Sequence, residues 1–125
     1  MTNHRRFGSV IRLKPGADAV YRRLHAAVWP EVLGVIDRCN LRNYSIFLRR
    51  LPDGRDWLFA VYDYVGTDHD TDMSALAADP ITQRWWAETA PLQDPLPDRP
   101  TGSWWAPMEE VFRHDGPVLP VQGHS

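Results

Sequence analysis

The chain has 125 residues, 43% of them hydrophobic, with 14 basic and 16 acidic side chains and a net charge of −2. That is core enough for one domain, and the near-balance of charge offers no basic stripe to nucleic acid or to an anionic membrane. No apolar run approaches the ~20 residues of a membrane span. The opening "MTNHRRFGSVIRL" has neither the apolar centre nor the cleavage site of a secretory signal, so the expectation is a soluble cytoplasmic protein. Cys39 is the single cysteine, which rules out an intrachain disulfide and fits a reducing compartment. It follows an apolar helical run and reads as a small buried hydrophobe.

Residues 7–13 alternate as a strand does, and Pro15, Gly16 and Asp18 then supply a turn and a helix start. Residues 17–38 carry helical periodicity. Val20, Leu24 and Val28 form one stripe, prolonged by Val32, Val35 and Ile36. Tyr21, His25 and Trp29 form the stripe beside it. Pro30 removes a backbone donor, so a kink or break is expected near Trp29, with the Tyr–His–Trp stripe at the mouth of the bend.

Residues 41–50 and 57–65 predict a hairpin with Asp53–Gly54 at its tip and Tyr44, Ile46 and Leu48 on one face. "GTDHDTD" leads into a helix ending near Pro80, and a second helix carries "QRWW", Gln83 to Trp86. Residues 91–103 are Pro-rich and polar and predict a loop. Residues 105–113 predict a last strand with Glu109 and Glu110 on opposite faces, so that one carboxylate would point inward. A Pro- and Gly-rich tail covers 114–125.

This order predicts an α+β domain over residues 1–113 of the ferredoxin-like, split βαβ kind. Its four-stranded antiparallel sheet has helices on one face. The other face, with residues such as Tyr44, Tyr62 or Trp57, would be left for a ligand or a second subunit, and a homodimer is expected.

The chemistry-bearing residues are aromatic and titratable. Four of the six tryptophans come as the pairs Trp85–Trp86 and Trp104–Trp105, which suggests an aromatic-walled pocket or a large interface. Successive residues of a helix point about 100° apart, so Trp85 and Trp86 can both face inward only at a helix end or rim. His25 can move a proton near neutral pH, Tyr21 donates and accepts, and Trp29 offers a flat wall. Together they match a pyranose ring; the plainer alternative is a helix face packed on the sheet. Asp68, His69, Asp70 and Asp72 could attract a metal, but acidic residues ahead of an apolar helix suit its cap and dipole, and no metal is expected. There is no glycine-rich phosphate loop, CxxC, HExxH or GxSxG. That leaves proton transfer with no cofactor, on a small molecule.

"YRRLHAAVWPEV", "RNYSIFL", "WLFAVYDY", "QRWW" and "MEEVF", in this order over residues 6–113, resemble the L-rhamnose mutarotase family. The resemblance implies a dimeric ferredoxin-like α+β barrel that interconverts the α and β anomers of a 6-deoxy sugar. It implies His25 as proton donor, with Tyr21, Tyr44, Trp85 and Trp86 touching the sugar; Trp29 and Trp104 would complete the pocket. The long segment after "QRWW" and the "GTDHDTDM" stretch depart from the plainer pattern and resemble the branch associated with L-fucose. The same architecture also serves small monooxygenases and could hold a sugar without turnover; those are the alternatives.

Overall fold

A computed structural model describes residues 5–117. The remainder of the tail expected over 114–125 lies outside the described residues. The elements are β1 (Arg5–Leu13), α1 (Asp18–Ala26), α2 (Pro30–Arg38), β2 (Leu41–Arg50), β3 (Asp56–Tyr64), α3 (His69–Ala78), α4 (Pro80–Thr89), a 3-10 turn (Ala90–Leu92), β4 (Gln93–Asp94) and β5 (Ala106–Met108). The sheet runs β2-β3-β1-β4, with β5 also on β1, and every pairing is antiparallel. This is the expected ferredoxin-like α+β arrangement.

The fourth strand position is filled in two pieces. β4 pairs with Arg12 and Leu13, and β5 with Gly8 to Val10. Residues 91–103 are therefore not wholly a loop. Asp94 holds the short strand in place by accepting from Arg55 at 2.6 Å. The strand expected over 105–113 ends at Met108. Pro107 within it has no amide to donate, which confines the stretch to an edge and keeps it short. Glu109 and Glu110 leave the sheet and are both exposed, so neither is an inward carboxylate.

Pro30 splits the long helical segment rather than bending it. Trp29 takes an extended backbone (φ −60°, ψ 132°), as a residue before proline does, and Pro30 starts α2. The face that α1 turns to the sheet centres on Tyr21, which is buried, while Val20 is exposed. α3 begins on Asp68, whose carboxylate accepts from the Thr71 amide at 3.1 Å. The preceding turn is tight. A Cβ at Gly66 would lie 2.6 Å from the Tyr64 ring and 2.8 Å from the Asn40 amide, so only glycine fits.

The helix-covered face alternates as β structure requires. Phe7, Ser9, Ile11 and Leu13 of β1 share it with Leu58, Ala60, Tyr62 and Tyr64 of β3. Two apolar groups form on it. Ile11, Leu13, Tyr21 and Leu58 make one; Val35, Cys39, Leu41 and Tyr64 make the other. Each fully buried Leu or Ile contributes about 1.5–3 kcal/mol. Between them lies the Ser9–Ala60 pair, whose side chains are too small to fill the layer.

β2 keeps its apolar residues on this face by means of a bulge. Arg42 faces Asp63 and Ser45 faces Val61, so Asn43 and Tyr44 share the single partner position of Tyr62. Asn43 absorbs the extra residue at φ 54°, a left-handed conformation that asparagine tolerates. Without the bulge Phe47 would point inward and Ile46 and Leu48 outward. The strand registers correct an expectation about the open face: Tyr62 pairs with Phe7 on the helix side. Tyr44 stacks on Tyr62 at 5.5 Å on the helix side. The open face carries Trp57, as expected, together with Val10, Phe47, Phe59 and Val61. Among the described residues no helix is long and apolar enough to cross a membrane.

Candidate active site

Four of the residues singled out in the sequence converge at the end of α1. His25 stacks on Tyr21 at 4.2 Å, Trp85 meets His25 edge-on at 5.4 Å, and Trp29 meets Trp85 edge-on at 5.1 Å. The helical i, i+4 spacing brings Tyr21 and His25 together. The break before Pro30 swings Trp29 toward α4, and α4 presents Trp85 from its inner face. His25 is half-buried, surrounded by rings rather than close-packed aliphatics.

The imidazole's protonation follows from its partner. Nδ1 lies 3.0 Å from the Tyr21 carbonyl oxygen, which can only accept, so Nδ1 carries the hydrogen. Nε2 of the neutral ring is left with its lone pair. Burial lowers the His25 pKa, and the bond to the Tyr21 carbonyl opposes that only in part. The neutral, basic form therefore predominates at pH 7.

Tyr21 is a poor acid, because burial raises its phenol well above the ordinary value. A long contact of 3.5 Å from the Gln93 amide reaches its hydroxyl oxygen, so its own proton can point elsewhere. Gln93 is held in turn by the Trp104 indole, which donates to its carbonyl oxygen at 2.8 Å. Trp104 thus joins the site within the same chain. Gln93 is buried on β4, inside the stretch the sequence presents as a loop.

A second wall starts at Tyr44. The residue exposes 42% of its surface, yet desolvation raises its phenol, so the hydroxyl end is the buried one. A charge on Tyr44 would raise both Tyr21 and Tyr62, so its hydroxyl is near both. Tyr62 stacks on Phe7 at 5.4 Å, and Phe7 on His69 at 4.0 Å. The sequence offers Tyr62 on the wrong face and His69 only as a weak metal candidate; their pairing depends on the β1–β3 register and on where α3 begins.

The space between the walls is open. Ser9 sits mid-strand on β1, paired on both edges and facing the helices, yet it remains partly exposed. Solvent can reach a covered, central position only where the helix layer leaves a gap. Trp86 stands apart from the ring cluster, 43% exposed. A separate surface hollow of about 500 Å3 lies between α2 and the start of α4. It holds Glu31, Arg38 and Asp79 but none of these aromatic residues.

The acidic stretch before and within α3 is structural. Asp68 caps the helix, Asp70 faces solvent, and Asp72 accepts from the Tyr64 hydroxyl at 2.5 Å and from the Asn40 amide at 3.0 Å. Among the described residues no three His, Cys, Asp or Glu side chains converge as metal ligands would.

A neutral imidazole among aromatic rings, on a ferredoxin-like sheet, has the chemistry of a proton-transfer protein for a flat or ring-shaped small molecule. Comparison with known proteins makes this specific. A family model described as L-rhamnose mutarotase matches residues 6–114. The L-rhamnose mutarotases of Phocaeicola vulgatus and Jannaschia sp. are each 33% identical to the chain, over 82% of its length and 91% and 90% of theirs. The crystal structure of an L-rhamnose mutarotase from Formosa agariphila has a TM-score of 0.65 at 28% identity, covering 89% of this chain and 99% of that one. The chain belongs to the L-rhamnose mutarotase family.

Proposed function

We propose that the protein is an isomerase that interconverts the α and β anomers of a 6-deoxy-L-hexose, with His25 as its acid–base group. The observation that carries this is the pinned tautomer: Nδ1–H held on the Tyr21 carbonyl, leaving the Nε2 lone pair, in a ring flanked by Tyr21 and Trp85. Family membership favours this over the monooxygenase-like and binding-only alternatives.

The reaction needs two proton movements and no cofactor. His25 Nε2 takes the proton of the anomeric hydroxyl as the C1–O5 bond breaks, and a tyrosine phenol hydrogen-bonds the ring oxygen as it gains charge. The imidazolium then returns its proton to that oxygen, which gives the open-chain aldehyde. Rotation about C1–C2 presents the other carbonyl face, and reclosure reverses the transfers. Tyr21 suits the phenol role because Gln93 leaves its proton free; Tyr44 holds a hydroxyl further along the ring. Trp85 and Trp29 wall the sugar, and Trp86 forms the outer rim. An uncatalysed exchange taking minutes corresponds to a barrier of roughly 21 kcal/mol. Positioned acid–base help of about 10²–10⁴ is sufficient to speed it usefully.

The test is saturation transfer between the α and β anomeric protons of L-rhamnose and L-fucose in the presence of the protein. Enzyme-dependent transfer with at least one sugar is the expected result. Transfer with neither, at protein concentrations that saturate Trp fluorescence changes, sinks the assignment.

We assign the protein to a homodimer formed through the open sheet face. Phe47 there is 62% exposed, and Val111 and Phe112, beyond β5, are 87% and 81% exposed. Apolar surface of that kind is covered in a stable soluble protein. Sedimentation equilibrium should give twice the 14.4 kDa chain mass, falling to the single mass in Phe47→Asp. A parent that sediments as a monomer contradicts the dimer. Cys39 is a buried free thiol, and on that ground we place the protein in the cytoplasm.

A further inference from the structure

Tyr62 and His69 form a bonded pair that the proton chemistry above leaves without a task. The Tyr62 hydroxyl lies 2.6 Å from His69 Nε2. Both rings are held by their neighbours: Phe7 stacks against each of them, and Tyr44 stacks on Tyr62 from β2. His69 is in the first turn of α3, and its Nδ1 faces the Asp70 carboxylate at 3.9 Å. A phenol is a stronger acid than a neutral imidazole and the imidazole nitrogen a stronger base, so the Tyr62 proton goes to His69 Nε2 in preference to Met73 Sδ at 3.8 Å, and the ring hydrogen sits on Nδ1. Burial, aided by Arg5, lowers the His69 pKa and keeps the ring neutral at pH 7. The Tyr62 phenol, pushed up to about 12 mainly by burial, stays protonated.

A phenol whose proton is already spent can only accept. Its oxygen then recognises a donor, and the donors a sugar presents are its hydroxyls. Tyr62 shares the inward sheet face with Ser9 and Ala60, and Tyr44, which stacks on it at 5.5 Å, is also near enough to Tyr21 for a charge on it to act there. His25 and Tyr21 occupy the reacting end, so Tyr62 lies toward the far end of any bound ring.

We propose that the Tyr62–His69 pair is a specificity-determining hydrogen-bond acceptor that reads the orientation of a sugar ring hydroxyl remote from the anomeric carbon. The inference rests on the mutarotase reading and adds to it the group that ranks one 6-deoxyhexose above another. A site built to bond a hydroxyl discriminates more strongly than an apolar one, because the wrong epimer leaves the buried acceptor unpaired.

The experiment measures kcat and KM for anomer exchange on L-rhamnose, L-fucose, 6-deoxy-L-talose and 6-deoxy-L-glucose, a set that includes single inversions at C2 and C4. Tyr62→Phe removes one oxygen and keeps the stack. It should raise KM for the preferred sugar about 10-fold, leave kcat within about 2-fold and flatten the ranking among epimers. His69→Phe keeps the ring on Phe7 and frees the Tyr62 proton; it should shift the ranking in the same direction, with KM up about 3-fold. Should Y62F fail to fold, H69F alone decides the matter. An active parent whose variants keep its KM values and ranking overturns this inference only. A fall in kcat at constant KM also overturns it, since Tyr62 would then act on the reacting atoms. A parent that exchanges none of the four sugars overturns the mutarotase reading, and this inference with it.

Discussion

His25→Ala is expected to lower kcat/KM for anomer exchange by about 10²–10³, equal to about 3–4 kcal/mol of transition-state stabilisation. The size follows from what is lost. The neutral imidazole is the group in the cluster whose proton affinity suits pH 7; Tyr21 and Tyr62 are both raised phenols. A water in the vacated space would take the proton with far less driving force. Stability should change little, because the ring is half-buried and its hydrogen bond goes to a backbone carbonyl within its own helix. Saturation-transfer NMR gives the rate, and a thermal melt of the same sample separates lost chemistry from lost fold. A variant exchanging anomers as fast as the parent removes His25 from the mechanism.

Trp85→Ala should be the most destabilising of the changes considered, at about 3–5 kcal/mol. Trp85 is buried on α4 and is the ring on which both His25 and Trp29 rest edge-on. Its removal opens a void that three elements line: the end of α1, the break before Pro30, and α4. Trp86→Ala on the same helix, half-exposed at the rim, should cost under about 1 kcal/mol. Urea unfolding of the two variants measures the contrast. Equal costs would mean that Trp85 does not hold the cluster together. At temperatures where W85A remains folded, its KM should rise with its fall in stability, since the wall of the sugar site goes with the ring.

The sequence carries much of this because its strongest signals are local. The i, i+4 spacing of Tyr21 and His25 needs only a helix to bring them together, and Pro30 announces the break that redirects Trp29. The alternation in β1 and β3 and the Asp53–Gly54 turn likewise speak for themselves. Other features depend on contacts between distant segments. Gln93 lies in a stretch that reads as loop, and its place is set by pairing with Leu13 across the sheet. The β2 bulge turns on Asn43, a residue prone to left-handed backbone, but hydrophobic alternation alone does not reveal a two-for-one register. The bulge lets Leu41 and Tyr44 share the helix side, while Tyr62 is placed there by its pairing with Phe7 of β1. His69 looks like one more polar residue in an acidic helix start until β3 and α3 are docked. The Glu109–Glu110 expectation fails for a related reason: periodicity shows an alternating stretch, but not that Pro107 makes β5 a short edge.

The central claim is that a neutral His25 acts as the base on a cyclic hemiacetal. It is tested most directly by measuring kcat/KM for anomer exchange against pH beside an NMR titration of the His25 and His69 imidazoles. Burial disfavours the charged ring, so its folded-state pKa lies below the ordinary 6.5. The base form, and with it the rate, should be fully present above that value and fall about tenfold per pH unit beneath it. The acidic limb should coincide with the His25 titration and persist in His69→Phe. A limb that follows His69 instead, or a rate that holds constant while His25 becomes protonated, would contradict it.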